Sequence, residues 1–246
     1  MFPQATKLFF ILMLAGFSVS QANAAISIDR TRVIMMGDEK SAPVNIINHS
    51  KKLPYLAQSW LENENEEKIN SPLTVLPPLQ RLEQDTTVQV NITPLPAAAQ
   101  LPQDRESLFF YNLQEIPPKS EKSNVVQLAL RIKIKVFYRP ASLKKMAMEV
   151  WQEKLVLTPV NNGVKIVNPT PFYIVIPTLS VASKPLSLSD EAITLKPLSD
   201  VTVPNALVKN QAIQLQYIND YGSYNAINYH CTASQCDVVK DDKSRP

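Results

Sequence analysis

The sequence predicts an all-β chain made of two Ig-like β-sandwich domains joined at an angle, boomerang-fashion, with a cleft between them. Three observations carry this. No run beyond residue 24 shows the apolar spacing of an amphipathic helix of three turns. Short alternating or β-branched runs recur instead, punctuated by Gly37-Asp38, Asn48-His49-Ser50, Pro77-Pro78 and Pro117-Pro118, and turn signals at that regular spacing mark a sandwich. After Arg139-Pro140-Ala141-Ser142 the rhythm restarts, which divides the chain into a domain over 25–140 and a smaller one over 141–246. The link between them is short, so the two hold a fixed angle.

The first 24 residues read as a secretory signal: Lys7, an apolar run over 8–17, then Ala22-Asn23-Ala24. Cleavage after Ala24 would leave Ala25 as the mature start. The apolar run is shorter than the roughly 20 residues a bilayer span needs, and no later segment comes closer. A soluble, exported chain with no membrane insertion is expected.

Strands are predicted in order at 26–36, rich in Ile and Val, at 42–48 and 55–62, and at 73–76 between proline-marked turns. They continue at 86–93 and 107–114, and the last is an unusually long run over 124–140. That run alternates almost without fault, with large apolar residues at 126, 128, 130, 132, 134 and 136 and polar, small or cationic residues at most positions between. Strands usually run about 5–6 residues, so the surplus must pair with something. In the second domain the predicted strands are 150–158, 163–168, 172–181, 192–195, 201–203, 212–219, 225–230 and 236–239.

Cys231 and Cys236 are the only cysteines, and in an exported chain they are expected to form a disulfide closing a tight hairpin. So short a loop contributes about 2 kcal/mol, a local staple. Their spacing fits zinc poorly, and beyond His230 no further ligand set is evident, so no metal is expected.

Without Lys7 the exported chain carries 24 basic against 22 acidic residues, a balance that does not predict nucleic acid as a partner. The acidic run over 62–67 lacks the spacing of a calcium loop and reads as a solvated hairpin tip. His49 and His230 have no serine or cysteine motif beside them and read as structural or surface residues. With no Gly-rich phosphate loop either, neither an enzyme nor a cofactor is expected.

Collinear segments then resemble one family over essentially the whole exported chain. They are Ala25-Ile-Ser-Ile-Asp-Arg-Thr-Arg32, Leu53-Pro-Tyr-Leu-Ala-Gln-Ser-Trp60, Pro77-Pro78-Leu79-Gln80-Arg81-Leu82 and Leu101-Pro-Gln-Asp-Arg-Glu-Ser-Leu108, followed by Glu115-Ile-Pro-Pro118, Ile134-Lys-Val-Phe-Tyr-Arg-Pro140, Asn168-Pro-Thr-Pro171 and Tyr217-Ile-Asn-Asp-Tyr-Gly222. The chain resembles the PapD-like periplasmic chaperones of the chaperone–usher pathway. Its short 117–123 connection and lack of cysteines in domain one place it with the short-loop group.

The resemblance implies a protein that binds pilin subunits by donor-strand complementation, without ATP, and passes them to an outer-membrane usher. It implies that Val126, Leu128 and Leu130 fill a groove in the subunit. Arg32 and Lys135 would anchor the subunit's terminal carboxylate, and Glu106, Arg139 and Asp220 would form a salt bridge between the domains. Pro54 falls at the family's position for a cis proline. The sequence Glu83-Gln84-Asp85 departs from the family pattern, replacing a turn that often contains Pro and Gly.

From pattern alone, residues 126–130 read as an ordinary core-facing strand and the two cations as solvated charge; only the motif context reverses that. Lys135 has the opposite parity to Leu130, so it reaches the cleft only if the cleft faces the other side of the strand, or if twist or a bulge turns the strand. A two-domain adhesin binding through loops at a sandwich end is the competing reading from another class; a secreted hydrolase lacks any nucleophile, base or metal constellation. A long apolar edge is an aggregation hazard, and self-association of the free chain is one way to cover it.

Overall fold

A computed structural model describes residues 25–120, 124–186, 188, 192–206 and 208–239; the signal segment over 1–24 therefore lies outside the described residues. The first domain contains β1 (Ile26–Ile28), β2 (Arg32–Met36), β3 (Ala42–Asn48), β4 (Tyr55–Glu62), β5 (Lys68–Ile69), β6 (Leu73–Leu76), β7 (Leu79–Leu82), β8 (Thr87–Pro94), β9 (Ser107–Ile116) and β10 (Arg131–Arg139). One sheet runs β1-β3-β8-β6 and the other β2-β10-β9-β4-β5, with β7 also on β4. Period-two patterning explains the pairing of faces. Ala42, Val44, Ile46 and Asn48 of β3 all point inward, and meet Met35, Leu61, Tyr111 and Val136 from the opposite sheet.

The second domain contains β11 (Val156–Val160), β12 (Gly163–Asn168), β13 (Ile174–Val181), β14 (Lys184–Pro185), β15 (Ile193–Leu195), β16 (Ser199–Pro204), β17 (Ala212–Ile218), β18 (Tyr224–Cys231) and β19 (Cys236–Val238). Its ladder runs β14-β13-β17-β18-β19-β11-β12-β16, with β15 on β13, around a core that includes Leu157, Phe172, Ile176, Leu215 and Tyr229. The all-β fold of two Ig-like sandwiches stands as the sequence predicts. Cys231 and Cys236 are bonded and close the β18–β19 hairpin.

Each domain ends a core strand on a buried asparagine. Asn48 donates to the carbonyls of Leu53 and Glu83, and Asn168 to those of Phe172 and Lys196. Such residues satisfy loop carbonyls that the sheet cannot reach.

Three predicted strands differ. The 26–36 run is two strands in two sheets, because Asp29 binds the Asn45 side chain and the chain crosses between layers there. The 150–158 run opens with a 3-10 turn at Trp151–Lys154, which packs the Trp151 ring 4.4 Å from that of Phe172. The long 124–140 strand is a ladder only from Arg131 onward. Cis peptides occur at Ser71–Pro72 and Leu76–Pro77, and the Leu53–Pro54 bond is not one of them. The turn at 83–85 closes without glycine, Asp85 taking a positive φ of 54°.

Candidate functional site

Strand β10 organises the site, because its two faces look into different places. Ile134, Val136 and Tyr138 enter the core of the first sandwich. The alternate residues Lys135, Phe137 and Arg139 face the second domain, where Phe137 packs with Leu108 and Val175, and Tyr173 lies 5.6 Å from its ring. This settles the parity of Lys135. The cleft lies on the outer face of the sheet, and no bulge appears in the β10 register.

Parallel pairing of β10 with β2 puts Lys135 directly opposite Arg32. Both line an interdomain cleft of about 520 Å³, together with Lys133, Glu66, Phe110 and Tyr224. Arg32 donates from Nη1 to the Ile218 carbonyl at 3.2 Å, and its guanidinium carbon stands 6.0 Å from the centre of the Phe137 ring. Its Nε is buried with no hydrogen-bond partner, and burial pulls its pKa below the ordinary arginine value. An anion entering here would meet a positive wall with an unspent donor.

Where the two domains meet, Glu106, Arg139 and Asp220 come together. Arg139 Nε donates to Glu106 at 2.7 Å, and its two terminal nitrogens make a bidentate pair with Asp220 at 2.7 and 3.0 Å. The other Glu106 oxygen accepts the Tyr173 amide at 2.7 Å, so the cluster spans both domains. Arg139 also lies 5.0 Å from the rings of Trp151 and Phe172. Burial pushes the Glu106 carboxyl up to about 7 against the opposing pull of Arg139.

Val126, Leu128 and Leu130 lie apart from this cluster. They are 90%, 76% and 47% exposed, in a stretch with no ladder of its own. The cause is a missing partner on each side. On one edge, pairing with β9 ends where Glu115 donates its amide to the Leu130 carbonyl; on the other, β2 begins only opposite Lys135. A strand-forming sequence is left without a neighbour among the described residues.

Two contacts escaped the sequence reading. The 62–67 run is not wholly a solvated tip: Glu62 is buried, accepting from Trp60 Nε1 at 3.0 Å and pairing with Arg131 and with Lys133 at 3.1 Å. Glu64 crosses to the second domain, pairing with Lys196 at 2.9 Å and accepting from the Tyr173 hydroxyl at 3.3 Å. Cations at 131, 133 and 135 alternate, and that spacing was the available signal for acids facing them.

Two family profiles match the chain: "Pili and flagellar-assembly chaperone, PapD N-terminal domain" over residues 25–144, and "Pili assembly chaperone PapD, C-terminal domain" over 150–229. The chaperone protein PapD of Escherichia coli is 47% identical over 227 residues, covering 92% of this chain and 94% of its own. The chaperone protein PmfD of Proteus mirabilis is 39% identical over 250 residues, covering 98% and 97%. Among solved structures, the Escherichia coli chaperone DraB superposes with a TM-score of 0.68 at 29% identity, over 84% of this chain and 96% of its own. A Salmonella enterica structure of the SafA pilin in complex with the SafB chaperone gives 0.72 at 24% identity, over 86% and 98%.

Proposed function

The chain belongs to the PapD family of pili-assembly chaperones, and from that premise we propose that it works in the periplasm, binding pilin subunits by donor-strand complementation. It keeps them from aggregating and delivers them to an outer-membrane usher, with no nucleotide consumed. The observation that carries this is the exposed apolar row at 126, 128 and 130, continuous with a strand that ends in a cationic cleft.

The geometry supports one orientation for a bound subunit. With its terminal carboxylate between Arg32 and Lys135, its last strand ends at the cleft, and β10 also runs toward the cleft. The two therefore pair in parallel, on the edge that β2 leaves open before Lys135. At about 3.3 Å per residue, Val126 stands roughly 30 Å from the anchor, so some nine residues of the subunit can be paired. Val126, Leu128 and Leu130 would then fill the subunit's groove, while Arg32 and Lys135 set the register.

Burying three aliphatic side chains contributes roughly 1.5–3 kcal/mol each, and each ladder hydrogen bond about 0.5–1.5 kcal/mol net. Association and ordering offset part of this, and a tight complex remains without an external energy source. Glu106, Arg139 and Asp220 serve by holding the cleft angle.

The test is co-expression with a cognate pilin. Arg32→Ala and Lys135→Ala should each deplete the subunit, and unchanged pilin levels would refute carboxylate anchoring. Leu128→Asp should abolish the complex; full binding by that variant would refute strand donation.

A further inference from the structure

Glu115 is a carboxylate inside a hydrophobic sandwich. On β9 it shares the inward parity of Phe109, Tyr111 and Leu113, all core residues, and it is only 7% exposed. Its Oε2 is buried with no hydrogen-bond partner, an arrangement that ordinarily costs several kcal/mol for an ionised group. No lysine or arginine is paired with it among the described residues. Burial pushes its pKa up, and the backbone amides of Ile26 and Leu130 pull it back down.

The Ile26 amide is informative because of where it sits. Among the described residues, strand β1 is the edge of its sheet and its only ladder is to β3. The His49 amide donates to the Ala25 carbonyl at 2.8 Å, so the backbone just before Ile26 is held in place. Ala25 is also the residue that follows the Ala22-Asn23-Ala24 cleavage signal. Removal of the signal would convert the amide nitrogen of Ala25, one residue before the Ile26 amide that acts on Glu115, into a free ammonium. Consecutive Cα atoms are only about 3.8 Å apart, which puts the new charge within reach of the carboxylate.

We propose that Glu115 is the receptor for the amino terminus created by signal cleavage: the Ala25 ammonium pairs with the buried Glu115 carboxylate and completes the first sandwich. Cleavage is hydrolysis of the Ala24–Ala25 bond by a signal peptidase; water supplies the hydroxyl to Ala24 and the proton to Ala25, and no other co-reactant is needed. Because the Glu115 amide also donates to the Leu130 carbonyl, the pair is built at the root of the exposed apolar arm. The inference stands apart from strand donation and would hold for any role of that arm.

Four proteins test it: the exported chain, the same chain retaining Asn23 and Ala24, and both again with Glu115→Gln, which removes the charge and keeps the size of the side chain. Mass spectrometry should read the exported chain from Ala25. Retaining two residues should lower the denaturation midpoint of the Glu115 chain and leave that of the Glu115→Gln chain unmoved. Equal losses in both backgrounds, no loss in either, or a mature start elsewhere would overturn the proposal.

A second measurement needs no substitution at Glu115. The Ala25 amine of the exported chain should titrate at higher pH than the amine of the extended chain, since a paired ammonium holds its proton longer. The other titratable neighbours, Tyr55 beside Glu115 and His49 beside Ser27, are common to both chains. Identical titration would refute the pair.

Discussion

Arg139 shows why burial, and not charge alone, decides what a residue contributes. It is almost wholly enclosed; of its partners, Glu106 is held by the Tyr173 amide and Asp220 sits in the β17–β18 turn. Arg139→Ala would leave Glu106 buried and uncompensated, a loss of about 3–5 kcal/mol in urea denaturation. Glu64→Ala removes an exposed pair with Lys196 that spans the same two domains, and should shift the midpoint by no more than about 1 kcal/mol. Glu106 adds a pH dependence whose sign follows from burial. Its folded value is raised to about 7, above the ordinary 4.5, so the folded chain holds the proton more tightly. Its contribution is greatest below about pH 4.5 and declines as pH rises to about 7. Midpoints measured between pH 5 and 7.5 should therefore fall less steeply, or rise more, in Glu106→Gln than in the parent.

At the scale of elements, legibility tracked whether a strand's partners lay inside the same pattern. β3, β4, β6 and β12 were readable to the residue, because each buries one face against a neighbouring sheet and ends at a turn or a buried asparagine. β7 was missed since Leu79–Leu82 buries little beyond Leu82 and pairs only with the outer end of β4. The 124–130 run suits a strand without forming a ladder: alternation reports which residues suit a strand, but a ladder also needs a neighbour, and none is present among the described residues. Arg32 and Lys135 were reachable through family motifs, whereas the pairings of Glu62 and Glu64 were hidden in a run that looked uniformly solvated. The arm makes its own prediction. Amides over 124–129 should exchange with solvent quickly in the free chain and gain strong protection when a strand-deficient partner is added; unchanged exchange would argue against the arm as the pairing surface. Replacing both cysteines by serine should cost about 2 kcal/mol, with faster exchange confined to β18 and β19.

For the molecule as a whole, the question is whether two sandwiches behave as one body. Each has its own core, and a third, smaller cluster of Leu108, Phe137 and Val175 joins them around the Arg139 network. Domain interfaces of modest size usually permit independent motion. Here the joint is unusually specified, because the strand that carries Phe137 and Arg139 to the second domain also carries Lys135 to the cleft and runs back to the exposed arm. Interface residues and the cleft lysine are thus successive residues of one strand. It follows that loosening the joint should damage binding by changing where the cations stand, without touching them. Arg139→Ala should split a single calorimetric transition into two, one for each sandwich, while circular dichroism retains the β signature. The same variant should bind pilin more weakly although Arg32, Lys135 and the arm are intact. If the transition stays single and affinity is unchanged, the network is a local ion cluster and the cleft is held by the apolar contacts alone.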